Sequence, residues 1–338
     1  MPKKIILFIF VTLLLTSCSL FKNSNGDDHS DQYFDIKLSE VAADRNAEYS
    51  GLCWYENNLI MLPQYPSYFN KILGYDTIFM LSQDLISDTI KRKGKRVVAP
   101  AQIKVINNKA HELLPGYEGF EGICYDGEFF YLSIEYNATT NQGAIVKARL
   151  SEDETELEIL NDEHLILDLP SNVFNASYES IFFYDNHIYL IYEANGKRIN
   201  RNPIAKRISR DFQTVEDVAF EAIEYRITDV TAFDEKGKGW AINYFFPGDL
   251  DHYLPDEDFI PNNYVAENNT EIGIERLIPL RVMENKIEYD NSRKPIYIKK
   301  EKRDISYNWE GIAKYHNNSF FIATDKYPQT VLRFLKTK

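Results

Sequence analysis

Cysteine, methionine and tryptophan are scarce in this 338-residue chain, at three, four and three residues. Cys18, Cys53 and Cys124 form no Cys-x-x-Cys pair, and the six histidines show no metal-ligand spacing, which excludes a recognisable zinc or dithiol site. Gly-x-Ser-x-Gly, a Walker loop and a dinucleotide fingerprint are also missing, and with them the common hydrolase, nucleotide-phosphate and hydride-transfer signatures. Helical heptads are absent. Basic residues are outnumbered, 38 Lys and Arg against 51 Asp and Glu, for a net charge of −13. Without Lys3 and Lys4 the balance is 36 − 51 = −15. Such a surface argues against nucleic acid and anionic headgroups as partners, and it lowers the cost of holding a cation.

The apolar run 5–15 is too short to span a bilayer. It follows Lys3-Lys4 and ends in Leu15-Thr16-Ser17-Cys18, which looks like a bacterial lipobox. Residues 1–17 are therefore expected to be a lipoprotein signal peptide. Cys18 is expected to be the lipidated residue that anchors the chain to a membrane, and 18–32 a flexible polar tether. Ser19, in place of Asp, favours outer-membrane sorting in a host with two membranes. Residues 33–338 remain for one folded domain, expected to be a monomer.

What the chain has in abundance is Tyr (23) and Phe (21), most of them set in a repeat within that domain. Ser50-Gly51-Leu52, Glu121-Gly122-Ile123, Glu179-Ser180-Ile181, Asp229-Val230-Thr231 and Glu310-Gly311-Ile312 each open an apolar run. A tight polar turn follows, then a second apolar run that ends on Gln64, Glu135, Glu193, Asn243 or Asp325. The offset is 14 in four copies (64−50, 135−121, 193−179, 243−229) and 15 in the last (325−310). Asp126-Gly127, Asp185-Asn186 and Asn57-Asn58 are hairpin turns, because these residues tolerate positive φ.

Two more strand-like stretches follow each hairpin: 77–81 and 102–105, 144–148 and 165–169, 205–208 and 222–225, 274–282 and 295–298. Four strands per repeat make a propeller blade, so the chain is predicted to be an all-β, five-bladed β-propeller. The last copy has only 330–335 after its hairpin. Its fourth strand is expected from residues near 34–38, which closes the ring and removes open edges. The mean repeat of 65 residues, (310−50)/4, leaves room for a sixth, degenerate blade within 50–121 or 229–310.

In an antiparallel hairpin the start of the first strand and the end of the second share an edge, so the paired polar residues gather on one rim. The loops 65–76, 136–143, 194–203, 244–273 and 326–329 emerge there, and long loops on a regular scaffold tend to carry function. The largest, 244–273, has the composition of a lid. Lys197, Arg198 and Arg201 reach the same rim and suit an anionic substrate group, although such a cluster is more often a solvated loop. One Glu-Gly start alone reads as structural, its carboxylate accepting backbone N–H groups from the next blade. Five polar copies around one axis repel each other unless something neutralises them, and Ca²⁺, or Mg²⁺, is the simplest neutraliser. Cys53 and Cys124 occupy equivalent repeat positions and read as buried free thiols.

The stretch Tyr117-Glu118-Gly119-Phe120-Glu121-Gly122-Ile123, with Asp126-Gly127 and Glu135, resembles the repeat of the bacterial "esterase-like activity of phytase" propellers. Ser50-Gly51-Leu52 fits the first-blade form of that repeat. The series Ser, Glu, Glu, variable, Glu also resembles the five-bladed calcium-activated nucleotidases (apyrases). This likeness implies that Ser50, Glu121, Glu179, Asp229 and Glu310 surround a central Ca²⁺. Asp229-Val230-Thr231 departs from the pattern in lacking Gly, and no nucleotidase substrate-binding segment is recognisable.

Three functions follow as expectations. The first is a metal-dependent hydrolase of phosphate esters or other anionic small molecules, with Glu135 or Glu193 as general base. The second is a non-catalytic surface propeller that binds a glycan, peptide or protein and keeps a structural metal. The third, ranked last because the carboxylates are so dense, is a glycosidase with paired acids.

Overall fold

The alternating apolar runs fold as strands in a computed structural model that describes residues 32–39, 41–114, 116–136, 141–173, 176–260, 273–299, 305–316 and 318–337. The signal peptide, Cys18 and nearly all of the tether lie outside the described residues, as does 261–272 of the largest loop. The chain enters at β1 (Gln32–Ile36). It then forms β2 (Tyr49–Tyr55), β3 (Asn58–Pro63), β4 (Thr77–Leu81) and β5 (Ala101–Ile106). Next come β6 (Tyr117–Tyr125), β7 (Phe130–Tyr136), β8 (Gln142–Leu150) and β9 (Glu156–Asp168). A third set is β10 (Ser180–Tyr184), β11 (His187–Ile191), β12 (Ile204–Ser209) and β13 (Val215–Phe220). A fourth is β14 (Arg226–Val230), β15 (Lys238–Phe245) and β16 (Ile274–Val282), with β17 (Lys286–Tyr289) and β18 (Ile296–Tyr297) both paired to β16. The last is β19 (Trp309–Tyr315), β20 (Ser319–Thr324) and β21 (Leu332–Lys336).

Each set is an antiparallel meander that opens on one copy of the repeat. The first strands pack side by side in a closed circuit: β2 on β6, β6 on β10, β10 on β14, β14 on β19 and β19 on β2. The protein is an all-β propeller. Apolar layers fill the spaces between meanders, as where Leu52, Met61 and Phe79 meet Phe321 and Phe334. Outer strands of neighbouring meanders also pair in parallel, β5 with β9 and β13 with β17.

The last meander is completed by the N-terminal strand. β1 pairs antiparallel with β21 from Gln32↔Lys336 to Ile36↔Leu332. The buried Arg333 locks this closure: its Nε donates to Asp35 Oδ1 at 2.6 Å, and its guanidinium lies over the rings of Tyr33, Tyr307 and Trp309. The turns follow their sequence as well. Asp185 and Asn186 both take positive φ, at 47° and 62°, and Asp126 Oδ1 accepts the N–H groups of Glu128 and Phe129.

Some strands differ from expectation at the periphery. The fourth strand of the third meander is β13 and not 222–225, which instead leads into β14. Only Val218 and Phe220 of β13 are buried, so its apolar signal is weak. In the fourth meander the last strand is divided between β17 and β18, and β9 begins well before 165. The long interval 50–121 is taken up by helix 83–91, capped by Ser82 Oγ accepting from Leu85 N, together with short helical turns.

Candidate functional site

The acidic position of the repeat is a place where the strand ladder slips. Ser50 falls in the register shift between Tyr49 and Gly51 of β2, and Glu121 in that between Phe120 and Gly122 of β6. Glu310 falls between Trp309 and Gly311 of β19, and Thr228-Asp229 between Ile227 and Val230 of β14. A bulge breaks the in-out alternation and re-aims a side chain. Here it frees the acidic residue from its own sheet. Glu179 directly precedes β10 and needs no bulge.

The following glycine has a separate cause. A Cβ on Gly122 would sit 2.5 Å from the carbonyl oxygen of Glu179, and one on Gly51 would sit 3.2 Å from Gly122 Cα. At Gly51 and Gly122 neighbouring inner strands approach backbone to backbone, which a side chain there would obstruct. The Glu-Gly signature is thus a bulge followed by a close contact.

Above the glycine layer the polar side chains converge. Gln64 Nε2 donates to Glu121 Oε1 at 2.9 Å, which joins the first copy to the second. Asn308 Nδ2 donates to Glu310 Oε1 at 2.5 Å and to Asp325 Oδ2 at 2.9 Å. Burial pushes the Glu121 carboxyl well up, and Glu135, Glu179 and Glu310 reinforce it. Burial also raises Glu135 to about 7, aided by Glu179 and Glu118 and opposed by Arg226. Glu179 reaches about 7 by burial, against the pull of Arg226. Burial lifts Glu310 and Asp325 too, and Asp325 further raises Glu310. These acids stand in one another's fields.

The counter-charge is Arg226, at the start of β14. It is ion-paired through Nε to the fully buried Glu193. Its Nη2 lies 3.6 Å from Glu179 and its Nη1 3.8 Å from Asp249. Tyr244 and Tyr253 flank it, with ring centroids 5.9 and 5.8 Å from the guanidinium carbon. Glu193, Glu179 and Asp249 thus stand directly against this guanidinium, and Glu135 and Glu310 feel its charge. A second basic residue, Lys326, is engaged by Glu48 at 2.7 Å.

Glu121, Glu135, Glu179, Glu193 and Glu310 come together at this axial cluster. Ser50 Oγ is buried without a hydrogen-bond partner at the equivalent point of the first copy. Asp229 behaves differently. Its carboxylate accepts the N–H groups of Val230 at 2.8 Å and Ile312 at 2.7 Å, and a backbone bond from Leu52 as well. It staples three inner strands. Lys197, Arg198 and Arg201 are exposed, and Arg198 pairs with Asp256 at 3.2 Å.

Arg226 was not identified from the sequence. The signal available was its position three residues before Asp229, where the other copies carry Ala47, Glu118, Ala176 and Tyr307. The described part of the largest loop is fastened down. The fully buried Arg276 pairs with Asp258 at 2.8 Å, and Glu224 accepts from the Asp256 N–H at 3.1 Å.

For a metal, the donor set is suitable in kind, being oxygen only and strongly negative, as Ca²⁺ and Mg²⁺ prefer. The orphaned Ser50 Oγ adds one more oxygen. Among the described residues, no three His, Cys, Asp or Glu side chains already enclose an ion-sized space. The fit is therefore one of charge and donor chemistry alone.

No family model matches the chain, and no curated protein does either. Solved structures are similar at the level of fold. An aldose sugar dehydrogenase from Escherichia coli is 10% identical, with 91% of this chain and 99% of that one covered at a TM-score of 0.44. An exo-β-1,3-galactanase from Phanerochaete chrysosporium is 9% identical, with coverages of 90% and 64% and a TM-score of 0.49. An α-L-arabinofuranosidase from Clostridium thermocellum is 11% identical, with 82% and 81% covered and a TM-score of 0.43. None is similar enough to lend its chemistry to this chain.

Proposed function

We propose that the protein is a calcium-dependent propeller hydrolase of phosphate esters or similar anionic small molecules, working at the axial carboxylate cluster. One observation carries this reading: Glu121, Glu135, Glu179, Glu193, Glu310 and Asp325 share the loop-rich end of the axis with Arg226, and several are held well above their ordinary pKa. Glu121, Glu179 and Glu310, with Ser50 Oγ, would hold the cation. Bound there, the cation would offset the cluster's charge and polarise an anionic ligand's oxygen. Glu135 is the general base in this reading. It is half-buried, and a pKa near 7 suits proton abstraction at neutral pH. Glu193, fixed on Arg226, orients that guanidinium. Asp229 holds the inner strands together.

A second reading, a non-catalytic binding propeller with a structural cation, is favoured by Asp229, whose acceptors are spent on backbone N–H groups. For location we propose lipid anchoring at Cys18 in the bacterial envelope. In support, Leu15-Thr16-Ser17-Cys18 closes the short apolar run 5–15.

Ca²⁺ should raise the Tm of the soluble form that begins after Cys18, and Glu121→Gln and Glu179→Gln should each reduce that shift. Glu135→Gln should leave the shift intact and slow ester turnover by about 10²–10⁴. A Tm indifferent to both calcium and chelator would remove the cation. Calcium stabilisation without turnover of nucleotides, sugar phosphates or aryl esters would leave the binding propeller.

A further inference from the structure

We infer that the anion-recognition element of the axial site is Arg226 together with Tyr253, and not the exposed Lys197, Arg198 and Arg201. The ligand group it takes is a small oxyanion, a phosphate or a carboxylate. Arg226 is held firmly through Nε, on Glu193, and its terminal nitrogens make only longer ion pairs. Its Nη2 and Nη1 face Glu179 at 3.6 Å and Asp249 at 3.8 Å, too far for well-formed hydrogen bonds. The two terminal nitrogens form a fork suited to two oxygens of one anion.

Beside that fork, the Tyr253 hydroxyl is buried and has no hydrogen-bond partner. A buried phenol ordinarily has one, and leaving it without is destabilising. Tyr253 stands against Arg226, and its hydroxyl lies in the field of Glu179 and Asp249. An oxyanion on the Arg226 fork would give this O–H an acceptor. Tyr253 is delivered by the short helix 250–253, which follows Asp249, and Arg276 and Glu224 fasten the loop on its far side. By contrast, Arg198 is exposed and already paired with Asp256.

This inference builds on the cation reading above, because a cation among the carboxylates would lessen their repulsion of an anion. The test is thermal-shift titration with inorganic phosphate, and separately with acetate, each with calcium and with chelator. The variants are Tyr253→Phe, Arg226→Lys, which keeps a charge beside Glu193, and Arg198→Ala. Phosphate or acetate should stabilise the calcium-loaded wild type, and whichever acts more strongly identifies the oxyanion class. Tyr253→Phe should weaken binding about tenfold, the size of one hydrogen bond to a charged group. Arg226→Lys should weaken it at least as much, and Arg198→Ala should leave it within about twofold. Calcium stabilisation with no response to either anion would overturn the inference and spare the cation reading. Anion binding lost in Arg198→Ala but kept in Tyr253→Phe and Arg226→Lys would overturn it by moving the anion to the exposed loop. A Tyr253-dependent anion shift without any calcium shift would support the inference and sink the cation reading.

Discussion

The two ends of the propeller axis are built from the same five strands and have opposite chemistry. At the loop-rich end Glu121, Glu179 and Glu310 stand in one another's fields, with Arg226 beside Glu179. At the hairpin-turn end the same strands, one to three residues further on, supply Leu52, Cys53, Ile123, Cys124, Ile181, Phe182, Val230 and Ile312. These line a cavity of about 60 Å³. The glycine layer separates the two. On its far side the strands resume ordinary alternation and bury apolar side chains, as inner strands should. On its near side the bulges turn acids inward, where burial is costly. A fold selected for stability alone would continue the apolar end through the axis, so the acidic end is where function is to be sought.

The sharpest way to break this contrast is to remove the acidic end's own cation. Arg226→Ala leaves Glu193 fully buried and unpaired. The expected loss is about 3–5 kcal/mol in denaturant unfolding. A loss below about 1 kcal/mol would mean that Glu193 escapes to solvent or takes up a proton easily. Next in size is the layer between the ends. Gly122→Ala forces a Cβ against a fixed carbonyl 2.5 Å away. It should cost about 1–3 kcal/mol, whereas Gly127→Ala at an exposed turn, where no atom lies within 4 Å, should cost only the strain of its positive φ.

The sequence showed the repeat plainly because hairpins are local. Asp126-Gly127 and Asp185-Asn186 announce their turns, and the apolar runs around them are strong. Ring closure by β1 was also legible, since the last repeat lacks a strand and the N-terminus has one spare. Outer strands were harder: β13 buries only Val218 and Phe220, so its pattern barely differs from a loop. The acids at the axis were found from their recurrence. Their division of labour was not, because it depends on which neighbour each meets in three dimensions. Asp229 looked like its repeat-mates, yet its bulge points it at the Ile312 N–H. Arg226 stands out only as a departure from the other copies three residues before the acid, and Tyr253 lies in a loop outside the repeat. Lys197, Arg198 and Arg201 stand out in the sequence as a cluster, and the structure places them exposed, with Arg198 against Asp256.

The acidic end should also give the protein an inverted pH response. Glu135 and Glu179 have folded-state values of about 7, above their ordinary 4.5. Between those limits the folded state binds more protons than the unfolded chain, so stability falls as pH rises. The contribution is fully present below about 4.5 and is lost as pH passes through about 7. In chelator, Tm should therefore decline from about pH 5 to about pH 8. Calcium should flatten the decline, and Glu135→Gln should remove part of it. A Tm that rises across this range would show that other groups outweigh the cluster.

The apolar end should respond least. Cys53 and Cys124 are free and buried in the hairpin-end lining. Burial pushes both thiols up, and negative neighbours push them further, Asp229 among them. Alkylation requires the thiolate, and at pH 8 almost none would be present in the native state. Iodoacetamide should therefore leave both cysteines unmodified in the native protein and react with both in denaturant. Calcium should not change the native result, because the glycine layer and the Asp229 staple separate the thiols from the acidic cluster. Protection that rises with calcium would mean that the two ends are coupled and that the axis opens as one unit. Cys53→Ala should cost only about 1 kcal/mol, the usual size of a single substitution. A larger loss would show that the apolar end supports the ring as strongly as the Arg226 pair does.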